Sequence, residues 1–140
     1  MFFGEYRHNM DAKGRLSIPA KFRNQCQEIV YIAREHDGCL SLYTEEGWQK
    51  FYTEQIANLS KNKKDARTFI RLLGSRVCEC EFDKLGRINI PASLREEAHL
   101  EKECVVVGVG ENAEIWDAKQ WDQFYQENRD QFDEISEEMD

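Results

Sequence analysis

Asp11–Arg23 reads D-A-K-G-R-L-S-I-P-A-K-F-R, and Asp83–Arg95 reads D-K-L-G-R-I-N-I-P-A-S-L-R. The copies start 72 residues apart, Asp11 to Asp83, and agree at seven of thirteen positions: Asp, Gly, Arg, Ile, Pro, Ala and the closing Arg. The chain has two prolines, Pro19 and Pro91, and they occupy the same place in each copy. Such agreement within 140 residues marks a tandem duplication, so any function must explain why one short device is needed twice.

The device can be read residue by residue. An Asp that opens a turn accepts hydrogen bonds from backbone N–H groups just ahead of it, and Gly supplies positive φ without strain. Asp11, Gly14 and Arg15 in copy one, with Asp83, Gly86 and Arg87 in copy two, therefore predict two Asp-shaped turns. Leu16-Ser17-Ile18 and Ile88-Asn89-Ile90 alternate apolar, polar, apolar, as a short half-buried strand does. Pro suits the first position of a following helix, with Phe22 or Leu94 turned inward. The turns present Lys13 and Arg15 in copy one, Lys84 and Arg87 in copy two. Lys13 aligns with Leu85, so the basic residues are not placed identically.

Working outward, Phe2–Met10 reads as a strand that carries Arg7 and His8 into the first turn, and Glu28–Arg34 as a β-prone run. His36-Asp37-Gly38 then predicts a hairpin loop into Cys39–Tyr43. Thr44 is a helix cap followed by Glu45 and Glu46 in the first turn, and Trp48, Phe51, Tyr52 and Ile56 recur at helical spacing as a buried face. A second helix is expected over Lys64–Leu73, capped by Gly74. Copy two repeats the order: strand Arg76–Phe82, helix Pro91–Ala98, strands Cys104–Val109 and Ala113–Trp116, then Asp117 as cap. Trp121, Phe124 and Tyr125 match Trp48, Phe51 and Tyr52, and an acidic amphipathic segment with Phe132, Ile135 and Met139 follows. Strands and helices so interspersed predict an α+β chain.

A net charge of −8 is unexpected beside two basic turns. Residues 111–140 hold eleven acids and two bases, however, which leaves the rest of the chain near neutrality with its bases in the turns and in Lys61–Arg76. Contact with a polyanion depends on such local patches rather than on net charge. The Lys61–Arg76 bases read first as a solvated helix face. Five irregularly spaced cysteines fit reduced thiols, and Cys78-x-Cys80 lacks the further ligands a metal would need. No apolar run approaches the roughly 20 residues of a membrane span, and the N-terminus lacks signal-peptide character. No nucleophile–base pair, Gly-rich phosphate loop or paired carboxylates point to catalysis, so no catalytic residue, metal or cofactor is expected.

D-x-x-G-R-x-x-I-P-A-x-[FL]-R, twice in one chain, closely resembles the MraZ family of bacterial transcriptional regulators, whose modules are similar to the swapped-hairpin DNA-binding domains of AbrB and SpoVT. The resemblance runs from F-F-G-E-Y near the N-terminus through both W-x-x-F-Y segments. It implies tandem swapped-hairpin modules with covering helices and pseudo-twofold symmetry: module one over residues 5–47, a helical connector over 48–75, module two over 76–119 and an acidic tail over 120–140. It implies a sequence-specific regulator that assembles into a ring and binds direct repeats in promoter DNA, upstream of the cell-division and cell-wall gene cluster, in the cytoplasm at the nucleoid. The expected DNA-binding residues are Arg15, Lys13, Arg87, Lys84 and Arg7, with Asp11, Gly14, Asp83 and Gly86 shaping the turns. For Arg15 and Arg87 a local ion pair with Asp11 or Asp83 is the competing reading, and both can hold at once. Arg23 and Arg95 are expected to pair with helix-end carbonyls or neighbouring acids. A ring-forming protein-interaction scaffold is the alternative function.

Overall fold

The computed structural model describes residues 1–139. Copy one comprises β1 (Phe2–Asn9), β2 (Arg15–Ser17), α1 (Ala20–Arg23), β3 (Ile29–Arg34), β4 (Leu40–Thr44) and α2 (Glu45–Phe51). A π-helical stretch, Tyr52–Ile56, prolongs α2, and α3 (Lys64–Ser75) leads into copy two. There the order recurs as β5 (Val77–Glu81), β6 (Arg87–Asn89), α4 (Ala92–Glu97), β7 (Glu103–Gly110), β8 (Ala113–Asp117) and α5 (Ala118–Asn128). A 3₁₀ turn, Arg129–Gln131, connects to α6 (Phe132–Glu138). The chain is α+β, as its patterning predicts.

The strands do not pair by copy. The main sheet is antiparallel throughout, in the order β1-β7-β8-β4-β3-β5, and β2 and β6 form a separate antiparallel ribbon. Among the described residues only β3–β4 and β7–β8 are hairpins within a copy; β1–β7, β2–β6, β3–β5 and β4–β8 all join one copy to the other. In the ribbon Arg15 faces Asn89, Leu16 faces Ile88 and Ser17 faces Arg87, a register that maps onto itself when the copies are exchanged. The pairs Leu40–Ile115, Ser41–Glu114 and Leu42–Ala113 do the same about Ser41 and Glu114. Ile18 N–H donates to Gly86 O at 3.2 Å and Ile90 N–H to Gly14 O at 2.9 Å, extending the exchange past the ribbon.

The core explains why the halves interlock. Leu16, Ile18, Phe22, Val30, Ile32, Leu40 and Leu42 from copy one and Ile88, Ile90, Leu94, Val106 and Ile115 from copy two belong to one buried cluster. Each such side chain contributes about 1.5–3 kcal/mol when fully buried, and a half of about 70 residues, marginal in size by itself, would leave its share of this common cluster uncovered. Phe2 and Tyr6 meet the edge of Phe22 with ring centroids 5.3 Å apart, which fastens β1 to α1.

Three local expectations are corrected. Pro19 and Pro91 take extended φ/ψ and precede the helices, so Ala20 and Ala92 are the first helical residues. Gly74 does not cap α3: the helix continues through Ser75, and the Arg76 N–H closes it on Leu73 O at 2.9 Å. The aromatic stripes are buried only in part: Ile56 is buried and Trp48 and Phe51 half-buried. Trp48 packs on Tyr31 and Tyr43, and Trp121 on Trp116, while Tyr52, Phe124 and Tyr125 remain 39, 42 and 50% exposed.

Candidate nucleic-acid interface

Each copy of the motif builds one turn in the same way. Asp11 Oδ1 accepts the backbone N–H of Lys13 at 3.0 Å and of Arg15 at 2.9 Å, while Oδ2 accepts Arg15 Nε at 2.6 Å. Asp83 does likewise: Oδ1 accepts Leu85 N–H and Arg87 N–H at 2.9 Å each, and Oδ2 accepts Arg87 Nε at 2.8 Å. Backbone pairs close both loops, Gly14 N–H to Asp11 O at 3.0 Å and Gly86 N–H to Asp83 O at 3.0 Å. The turn needs positive φ at its third step, and Gly14 and Gly86 supply it at 86° and 77°. The backbone N–H of Arg15 holds the Asp11 carboxyl below the ordinary carboxylate range against the opposing effect of desolvation, with the guanidinium and the Lys13 N–H adding to it. The Arg87 N–H does the same for Asp83. Both carboxyls therefore stay ionised as acceptors.

The β2–β6 ribbon sets the two turns side by side: Arg87 Nη1 of the second lies 3.7 Å from Asp11 Oδ2 of the first. Asp11 and Asp83 engage the arginines through Nε, so the local ion pair forms, yet among the described residues the Arg15 terminal nitrogens have no hydrogen-bond partner. Lys13 and Lys84 are exposed and, among the described residues, enter no ion pair. The ribbon end thus offers four cationic side chains on a backbone whose geometry two carboxylates fix. Arginine forks and lysine ammoniums held this way are suited to phosphate oxygens and to guanine edges.

Arg7 stands apart from this group. Its guanidinium meets Asp122 Oδ1 at 2.5 Å, Glu103 Oε1 at 3.3 Å and Glu5 Oε2 at 3.7 Å. The Asp122 hydrogen bond above all raises its pKa further, and its charge ties β1 to β7 and α5. Of the Lys61–Arg76 bases, Arg67 donates to Lys61 O at 3.0 Å and Arg76 lies 3.6 Å from Glu97, while Lys61, Lys63, Lys64 and Arg71 are exposed. Cys78 and Cys80 have Sγ atoms 3.8 Å apart, as alternate residues of one strand. Among the described residues no group of three or more His, Cys, Asp or Glu side chains could hold a metal ion, and no helix is long and apolar enough to cross a membrane.

Arg23 and Arg95 depart from expectation. Among the described residues they meet neither helix-end carbonyls nor acids but lie against Gly86 and Gly14, each on the turn of the opposite copy. The signal available in the sequence was the identity of the motif's last residue in both copies; nothing there says that its partner lies in the other copy.

The family model described as "MraZ protein, putative antitoxin-like" matches residues 1–72 and again residues 75–140. The chain belongs to the MraZ family. A relative named "Transcriptional regulator MraZ" from Ligilactobacillus salivarius (strain UCC118) is 52% identical over 139 residues, covering 99% of this chain and 96% of the relative. The two segments that match the MraZ model adjoin near the end of α3, and each contains one Asp-clamped turn.

Proposed function

We propose that this MraZ-family chain is a sequence-specific DNA-binding transcriptional regulator that grips direct repeats upstream of the cell-division and cell-wall gene cluster as a multivalent, ring-like oligomer in the bacterial cytoplasm, at the nucleoid. The observation that carries the reading is the pair of identically built basic turns on one ribbon, with Lys13, Arg15, Lys84 and Arg87 as the DNA-contacting residues. Asp11, Gly14, Asp83 and Gly86 shape those turns; Arg7 is assigned to the acidic cluster around Asp122 rather than to DNA. The name of the Ligilactobacillus relative supports the regulator class.

The swapped-hairpin, AbrB-like reading of the fold draws support from the cross-copy pairing of β1, β2, β3 and β4. In this reading residues 5–47 and 76–119 supply the modules, 48–75 connect them, and 120–140 form an acidic tail. One pair of turns makes few phosphate contacts. Linking several through an oligomer raises avidity by roughly 10²–10⁴, and repeats about 10 bp apart present the same groove face to each. The alternative, a scaffold without sequence-specific DNA binding, draws on the exposed Phe132, Ile135 and Met139; here those side chains are assigned to contacts between subunits.

A titration of labelled direct-repeat DNA by fluorescence anisotropy tests the reading. Arg15→Ala weakens binding and lowers the melting temperature by no more than a few degrees, because an exposed pair contributes about 0–1 kcal/mol. Asp11→Ala reduces both, since three hydrogen bonds of the turn end on its carboxylate. Equal affinity for repeat and scrambled DNA would leave the scaffold reading in its place.

A further inference from the structure

Arg23 and Arg95 hold a position that neither helix capping nor ion pairing explains. A Cβ built on Gly14 would fall 2.7, 2.8 and 3.0 Å from Arg95 Nη1, Cζ and Nε; one built on Gly86 would fall 2.5, 2.5 and 2.6 Å from Arg23 Nε, Nη1 and Cζ. Three guanidinium atoms nearly equidistant from one point mean that the flat face of each group is turned toward the glycine. In both arginines Nε is buried without a hydrogen-bond partner among the described residues. Buried donors of this kind are rare and call for a reason. Among the described residues three arginine Nε atoms are so placed, and two of them, in Arg23 and Arg95, sit at equivalent places beneath the two turns that carry the basic residues.

We propose that Arg23 and Arg95 are positioning residues for DNA binding that act crosswise: Arg95 sets the Asp11–Arg15 turn and Arg23 the Asp83–Arg87 turn. The proposal rests on the DNA reading above. Each guanidinium plane is a floor on which the opposite turn sits, and any side chain in place of the glycine would collide with it. Shape holds the group there, so Nε goes without an acceptor. The positive charge beneath the turn also raises the local potential that a phosphate meets. Lysine keeps the charge but not the plane, so it does not substitute. The arrangement makes each DNA contact dependent on both copies of the repeat, which gives the duplication a role beyond doubling the contacts.

Double-mutant cycles on repeat-DNA affinity, with the full-length protein, test the crossing. Arg95→Ala combined with Arg15→Ala should lose less than the product of the single losses, by about twofold or more. Combined with Arg87→Ala the shortfall should be clearly smaller, because Arg87 meets the first turn only through its 3.7 Å contact with Asp11. Arg23→Ala should show the reverse. Arg95→Lys serves where the alanine variant fails to fold. In the protein without DNA, glycine-selective ¹⁵N spectra should show Arg95→Lys moving the Gly14 amide and leaving Gly86, with Arg23→Lys doing the opposite. Arg15→Ala and Arg87→Ala both leaving affinity unchanged would remove the DNA reading and this proposal together. If they act but Arg95→Ala multiplies equally with each, or moves the Gly86 amide instead, the crosswise role alone is overturned.

Discussion

Asp11 and Asp83 each give one oxygen to two backbone N–H groups and the other to a guanidinium, which makes their protonation the switch for the turn. Their folded-state pKa values are depressed. The stabilisation they contribute is therefore fully present above the unfolded value of about 3.9 and is lost as pH falls through the lower folded value. Carboxyl titration by NMR should place both midpoints below that of an unfolded Asp, and Arg15→Ala should raise the Asp11 midpoint. The Asp-x-x-Gly-Arg spacing made these turns legible in the sequence, because every bond within them spans four residues or fewer. The surroundings of Arg7 are not legible in the sequence for the opposite reason: its closest partner, Asp122, lies 115 residues along the chain. No local pattern reports such a pairing.

At the scale of elements, local chemistry was again what the sequence disclosed. Thr44 caps α2 by accepting the Gly47 N–H at 2.9 Å, and Asp117 caps α5 by accepting the Lys119 N–H at 3.2 Å, both as capping preference predicts. The positions of β1, β3, β4, β7 and β8 follow from their β-prone runs, whereas the choice of partner does not. Hydrophobic alternation says which face of a strand is buried, not which strand lies beside it. Gly74 shows how a capping signal is overridden when a helix has room to continue. It sits inside α3 with no heavy atom of the described residues within 4 Å of a built Cβ and without positive φ. Gly74→Ala should therefore stabilise the protein by about 0.5–1 kcal/mol, read as a higher denaturation midpoint at unchanged m-value.

For the whole molecule, the distribution of exposed apolar surface matters most. Phe124, Tyr125, Phe132, Ile135 and Met139 line one groove between α5 and α6, and Phe69 and Leu72 stand exposed on the basic α3. In the proposed assembly these surfaces meet between subunits, with heterologous contacts closing a ring. Phe132→Glu should release smaller species by light scattering that remain folded but bind repeat DNA far more weakly. Each phosphate-contacting cation adds about −0.9 to the slope of log affinity against log salt. Wild-type protein on a full repeat array should therefore show a steeper slope than Phe132→Glu does, in proportion to the subunits engaged. Equal slopes would argue against multivalent docking.

The antiparallel match of β1 with β7 also has a consequence in time. Phe2 faces Gly110, so the first strand made waits for one of the last. At about 5–20 residues per second of synthesis, that wait lasts roughly 5–20 seconds. Until residues 77–89 are made, copy one can close only its own β3–β4 hairpin and pack Phe22 against β1; β5 and β6 then cover β3 and β2, and β1 waits longest for its sheet neighbour. Pairings this distant carry a loop-closure cost that slows folding. Residues 1–72 produced alone should show no cooperative unfolding transition and should acquire one when mixed with residues 75–140. On a crowded polysome a waiting β1 can meet the β7 of a neighbouring nascent chain before its own emerges, so dimers that have exchanged halves are the expected error of biogenesis.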